Sequence, residues 1–124
     1  KELLLPPEHE RFYQELRLYY ETPDYIFVHG GLKPGIPLGE QVEEDLLWIR
    51  GEFIASMEDF GRVVVFGHTP FKQPLVMPNK IGIDTGAVYG NYLTCLKLKE
   101  EEFILVGQEG RARRVPALAT VSPE

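Results

Sequence analysis

The chain has 124 residues, 44% of them apolar and 11% aromatic, which is enough for one domain with a real hydrophobic core and excludes disorder as its main state. Thirteen Lys and Arg against nineteen Asp and Glu leave a formal charge of −6, which disfavours non-specific attraction to nucleic acid or anionic lipid. A single cysteine, Cys95, excludes an intramolecular disulfide and fits a reducing, cytoplasmic setting; no apolar run approaches the roughly 18 residues that cross a bilayer.

In chain order, Pro6-Pro7 closes the short apolar stretch Leu3 to Leu5, and Phe12, Leu16, Tyr19 and Tyr20 recur at helical spacing, which predicts a helix from Glu8 to about Tyr20. Thr22-Pro23-Asp24 ends it. Tyr25-Ile26-Phe27-Val28 reads as a strand buried on both faces and stops at His29-Gly30-Gly31. After a loop holding Pro34, Gly35 and Pro37, the apolar positions Leu46, Leu47, Ile49, Phe53, Ile54 and Met57 predict a second helix from Val42 to Met57. Val63 to Phe66 is a second buried strand, stopping at Gly67-His68-Thr69-Pro70. Ile81 to Gly86 is a short strand entering a turn, and Tyr92 to Leu98 and Phe103 to Val106 are a hairpin with a charged tip, Cys95 being placed as a buried thiol. Arg111 to Arg114 and the Pro, Ala and Ser-rich end read as a solvated tail, with residues 116–124 flexible.

Two segments share one pattern, a buried strand that delivers a histidine beside glycine. In sheets of parallel strands, ligand sites lie beyond the carboxyl ends, where side chains of separate strands converge. Neutral imidazoles there suit a borderline divalent metal, but a satisfied structural histidine is equally open, and two ligands are too few for a catalytic metal. Arg50 is open between a surface arginine with a buried stem and a guanidinium that holds a phosphate. Asp84 is better read as a turn-binding aspartate than as a site carboxylate. No phosphate loop, no dinucleotide fingerprint and no serine nucleophile elbow occurs, and His9 carries no signal.

Phe27-Val28-His29-Gly30-Gly31, Leu46-Leu47-Trp48-Ile49-Arg50, Val65-Phe66-Gly67-His68-Thr69-Pro70 and Ile83-Asp84-Thr85-Gly86-Ala87, in this order, resemble the second half of bacterial serine/threonine protein phosphatases of the phosphoprotein-phosphatase type, within the calcineurin-like metallophosphoesterases. The resemblance runs from Tyr25 to Leu98. It implies an α/β fold, part of a four-layer α/β/β/α sandwich, with residues 1–115 forming the carboxyl-terminal half of the domain and the N-terminal half of the fold absent. It also implies two divalent metal ions, manganese first with iron or zinc as alternatives, that activate hydroxide for attack on phosphorus. His29 and His68 would be ligands of one metal and Arg50 would bind the substrate phosphate. The family's aspartate motifs and its Gly-Asn-His-Glu motif do not occur here, so the chain is expected to be part of a longer enzyme, inactive alone, with a partner in the missing half or in self-association. A phosphorylated protein is the first expected substrate and a small phosphoester such as a diadenosine tetraphosphate the runner-up. A non-catalytic module on the same fold is the alternative of a different class.

Overall fold

The computed structural model describes residues 4–117. Helix α1, Pro7–Gln14, is followed by strands β1, Tyr19–Glu21, and β2, Tyr25–Val28. Two short helices, α2 at Glu43–Trp48 and α3 at Gly51–Ile54, precede β3 at Val63–Phe66. The remaining strands are β4, Leu75–Met77, β5, Lys80–Gly82, β6, Leu93–Lys97, β7, Glu102–Val106, and β8, Ala112–Pro116.

One five-stranded sheet has the order β1-β2-β3-β5-β4, in which β2, β3 and β5 run parallel and the outer strands antiparallel. Its core face carries Ile26, Val28, Val64 and Phe66, which bury against Leu32 of the loop after β2 and Leu46, Ile49 and Phe53 of the α2–α3 region. The period-two geometry of strands sends the intervening residues to the opposite face. There Ile81, Val63 and Val76 pack against Phe103, Leu105 and Val115 of an antiparallel sheet, β6-β7-β8. The layers are thus helix, sheet, sheet, an α/β fold with three of the four layers expected; among the described residues no helix covers the outer face of the second sheet.

That open outer face explains why Cys95 is exposed rather than buried. It alternates with Thr94, which is buried with its hydroxyl on that of Thr85, and opposite Cys95 in register stands Ile104. A strand in a four-layer sandwich would be covered on both sides; here only one side is.

The first helix is shorter than its spacing suggested. It ends at Gln14 and buries no residue, because Tyr19 and Tyr20 pair in an antiparallel register with Val28 and Phe27 instead of completing a helical face. Strand β2 in turn is buried alternately, not on both faces. Beside Phe27 an open groove of about 430 Å³ is lined by Leu18, Tyr20, Val65 and Ile83.

The arginine cluster is no tail: Ala112 to Pro116 pair with β7, and Ala117 is buried. The expected flexible end otherwise falls on residues 118–124, outside the described residues.

The two sheets are tied at one end by Tyr25, whose hydroxyl reaches the Glu101 carboxylate at 2.8 Å and the Leu98 carbonyl at 3.3 Å. Burial first, then the Glu101 hydrogen bond and the charges of Glu101 and Asp24, push its pKa up to about 12. A phenol raised above its unfolded value near 10 gives stability that is complete below pH 10 and is lost as pH rises toward 12. Tyr25→Phe should therefore destabilise the chain by about 1 kcal/mol at neutral pH. In urea titrations its deficit should shrink on alkalinisation; a deficit constant with pH would disprove the link.

Candidate metal and phosphate site

Because β2, β3 and β5 are parallel, their carboxyl ends meet at one edge of the sheet, and the residues just beyond them are His29, Gly67-His68 and Ile83-Asp84. Backbone hydrogen bonds continue past the strands and fix these turns. Gly67 N–H donates to the His29 carbonyl at 2.8 Å, Ile83 N–H to the Phe66 carbonyl at 3.0 Å, and Phe71 N–H to the Asp84 carbonyl at 2.9 Å.

The two imidazoles lie side by side at this edge, ring centroids 5.0 Å apart and planes tilted at 49°. His68 holds a left-handed backbone, φ 69°. For a residue with a Cβ this costs about 1–3 kcal/mol and is tolerated where the surroundings enforce it. The imidazole is hydrogen-bonded to the backbone of Trp48, while its Nε2 is buried with no hydrogen-bond partner among the described residues. With Nδ1 as the donor to that carbonyl, Nε2 carries the lone pair. Metal-binding histidines are commonly arranged in this way, one nitrogen on a backbone carbonyl and the other on the ion.

Electrostatics agree with a neutral ring. Burial, then the charges of Arg50 and His29, hold the His68 pKa below its ordinary value; the Trp48 backbone and Asp84 pull weakly the other way. The neighbouring Thr69 hydroxyl oxygen is likewise buried without a partner among the described residues. Two orphaned polar atoms side by side at a sheet edge call for an occupant, since buried polar groups are otherwise almost always satisfied.

Arg50 reaches this place by an interruption that its surroundings conceal in sequence. The expected helix from Val42 to Met57 breaks after Trp48: Ile49 is extended, with φ −61° and ψ 145°, and Arg50 has φ −134° and ψ −101°. The Arg50 carbonyl then starts α3 by accepting from Phe53 and Ile54 N–H, both at 3.0 Å. Arg50 is exposed, lies close enough to His68 to depress its pKa, and forms no ion pair among the described residues.

The glycines beside His29 serve the packing of the fold. A methyl group on Gly30 would lie 2.9 Å from the Leu46 carbonyl oxygen, and one on Gly31 2.4 Å from the Phe53 ring. They admit the α2–α3 backbone and the core, not a ligand. Gly67 has room, its nearest contact being 3.7 Å, so the strained turn is borne by His68 itself. Asp84 closes a turn onto Gly86 N–H at 3.0 Å, as expected.

The structure therefore brings His29, His68 and Arg50 to one edge. Among the described residues no group of three metal-ligating side chains forms. Trp48 and Thr69 are the neighbours that spacing arguments did not single out; the signal for Trp48 was its place two residues before Arg50.

No family model matches the chain. Among curated proteins it is 31% identical over 118 aligned positions to the bis(5'-nucleosyl)-tetraphosphatase PrpE [asymmetrical] of Bacillus velezensis, an alignment covering 75% of this chain and 46% of that protein. The protein of the same name from Halalkalibacterium halodurans is 27% identical over 115 positions, covering 78% of this chain and 46% of that one. That of Oceanobacillus iheyensis is 45% identical over 56 positions, 45% of this chain and 20% of the relative. The chain thus spans about half the length of the first two relatives. A crystal structure described as that of a candidate diadenosine tetraphosphatase shares the fold, with a TM-score of 0.66 and 24% identity, covering 90% of this chain and 56% of that one. These relatives stand on the side of the runner-up substrate; none of them is described as a protein phosphatase.

Proposed function

We propose that this chain supplies one half of the centre of a metal-dependent phosphoester hydrolase acting on nucleoside polyphosphates. The observation that carries the proposal is the His68 ring, with one nitrogen on the Trp48 backbone and a buried Nε2 that has no partner among the described residues, set 5.0 Å from the His29 ring and within the electrostatic influence of Arg50. Names of the relatives support the nucleotide substrate in place of the phosphoserine and phosphothreonine substrates suggested by the motifs.

His29 and His68 would hold the metal, manganese being the first ion to test and iron and zinc the next. A divalent ion supplies Lewis acidity toward phosphoryl oxygens and makes water a stronger nucleophile at neutral pH. The chain's own contribution is to present two neutral imidazoles on a rigid sheet edge and to place a guanidinium where phosphate charge gathers. Arg50 matches two phosphate oxygens with paired N–H donors, which orients the group as well as binding it. Carboxylates are still needed to hold two cations together, and among the described residues none joins the histidines; we place them outside residues 4–117.

The test compares substrates. The complete protein, loaded with manganese, is expected to hydrolyse diadenosine tetraphosphate with a kcat/KM at least tenfold above that for a phosphothreonine peptide. The reverse order would return the reading to a protein phosphatase, and turnover of neither, with no metal taken up, would remove the enzyme reading altogether.

A further inference from the structure

Trp48 is the one tryptophan of the chain and stands 68% exposed at the rim of the site. So large an apolar ring is ordinarily covered. Its placement follows from the break between α2 and α3. Ile49 turns into the core, 8% exposed, and Trp48 and Arg50 emerge on either side of it. The indole meets the His68 ring at 5.7 Å with planes at 87°, and it makes no other ring contact among the described residues. A perpendicular contact leaves an indole π-face unstacked.

We propose that Trp48 is a specificity-determining residue that stacks the base of a nucleotide whose phosphate lies at Arg50; the inference rests on the nucleotide reading above. Two residues of extended chain span roughly 7 Å, comparable with the reach of a nucleotide from its 5'-phosphate to its base. One short stretch thus presents an anion-binding fork and an aromatic platform at matching separation, both beside His68. Stacking tolerates any base, since every base has a π-face, so the platform selects nucleosides over bare phosphates without choosing among nucleobases. Replacing the side chain leaves the Trp48 carbonyl, and hence the hydrogen bond that orients His68, in place.

The experiment uses the complete metal-loaded protein and two competitive inhibitors that differ only in the base, AMP and ribose 5-phosphate. In the wild type AMP should inhibit roughly ten- to a hundredfold more tightly, the range of a base–aromatic stack. In Trp48→Ala the two inhibitors should converge, with KM for diadenosine tetraphosphate raised by a similar factor and p-nitrophenyl phosphate turnover falling much less than dinucleotide turnover, while Trp48→Phe keeps most of the AMP preference. An AMP advantage unchanged in Trp48→Ala, or equal inhibition already in the wild type, overturns the proposal. A fall in p-nitrophenyl phosphate turnover as large as that on the dinucleotide also overturns it, making Trp48 a packing residue for His68. A wild type that cleaves no dinucleotide would instead sink the functional reading, an outcome separate from the Trp48 result.

Discussion

His68→Asn is expected to abolish most activity of the complete metal-loaded protein while leaving the fold as stable as before, or about 1 kcal/mol more stable. Asparagine adopts the left-handed backbone of residue 68 with less strain than histidine does. The variant also removes a buried nitrogen that has no partner among the described residues, an arrangement that costs about 1–3 kcal/mol. Against these gains stands the loss of the ring contact with Trp48 and of the hydrogen bond to its backbone. Function carries the deficit. Losing only the outer partner of a metal ligand commonly reduces affinity or activity about 10–100-fold, and losing the ligand itself should do at least as much.

Acid titration separates the two aspects. The His68 pKa lies below its ordinary 6.5 in the folded chain, so the unfolded chain takes up a proton first. Its contribution to stability is complete above pH 6.5 and is lost as pH falls below that value, a component that His68→Asn should lack. Urea unfolding across this range, with metal uptake measured in parallel, checks both. A loss of stability above about 2 kcal/mol with turnover retained would make His68 a structural histidine, since core changes commonly lie in that range.

Gly31→Ala should be the most damaging single methyl group in the chain, at about 3–4 kcal/mol when strain and overpacking add. The new Cβ would lie 2.4 and 2.6 Å from two atoms of the Phe53 ring and 3.0 Å from Ile49, on a backbone with φ 150°. Phe53 has nowhere to go. It is fully buried, meets Phe60 and Phe66 at ring separations of 5.7 and 5.0 Å, and lies under the Lys80 ammonium at 4.9 Å. That ammonium is itself held by the carbonyls of Ile54, the last residue of α3, and of Ser56 just beyond it. Gly35→Ala is the control, since Gly35 also has a positive φ, 83°, but no neighbour within 4 Å; it should cost about 1 kcal/mol. Equal urea midpoints for the two variants would show that the Phe53 contact is not rigid.

The strands that carry the site were legible in sequence because burial against α2 and α3 demands continuous apolar runs. Tyr25–Val28 and Val63–Phe66 have the bounds that composition alone assigned, and each delivers its histidine to the same edge. What was not legible depends on partners distant in the chain. Tyr19 and Tyr20 fit a helical face as well as a strand, and only pairing with Val28 and Phe27 decides. Arg113 and Arg114 look like a solvated tail because β8 lies at the edge of its sheet, where side chains stay wet while the backbone pairs. The break at Ile49 was hidden because its neighbours keep helical apolar spacing on both sides. The roles of Gly30 and Gly31 needed the α2–α3 backbone in view: glycine beside a candidate ligand suggests room for a substrate, and here the room is already taken.

The interruption between α2 and α3 also sets helix propensity against the chemistry of this stretch. A residue advances about 100° around an α-helix, so in an unbroken helix Trp48 and Arg50 would diverge by about 200° and could not serve one ligand. With the break they emerge on either side of a buried Ile49. Substitutions that mend the helix around Gly51 would improve local backbone stability and, by the same rotation, turn the guanidinium away from the imidazoles. Stability engineering of this segment and retention of its proposed activity therefore pull in opposite directions.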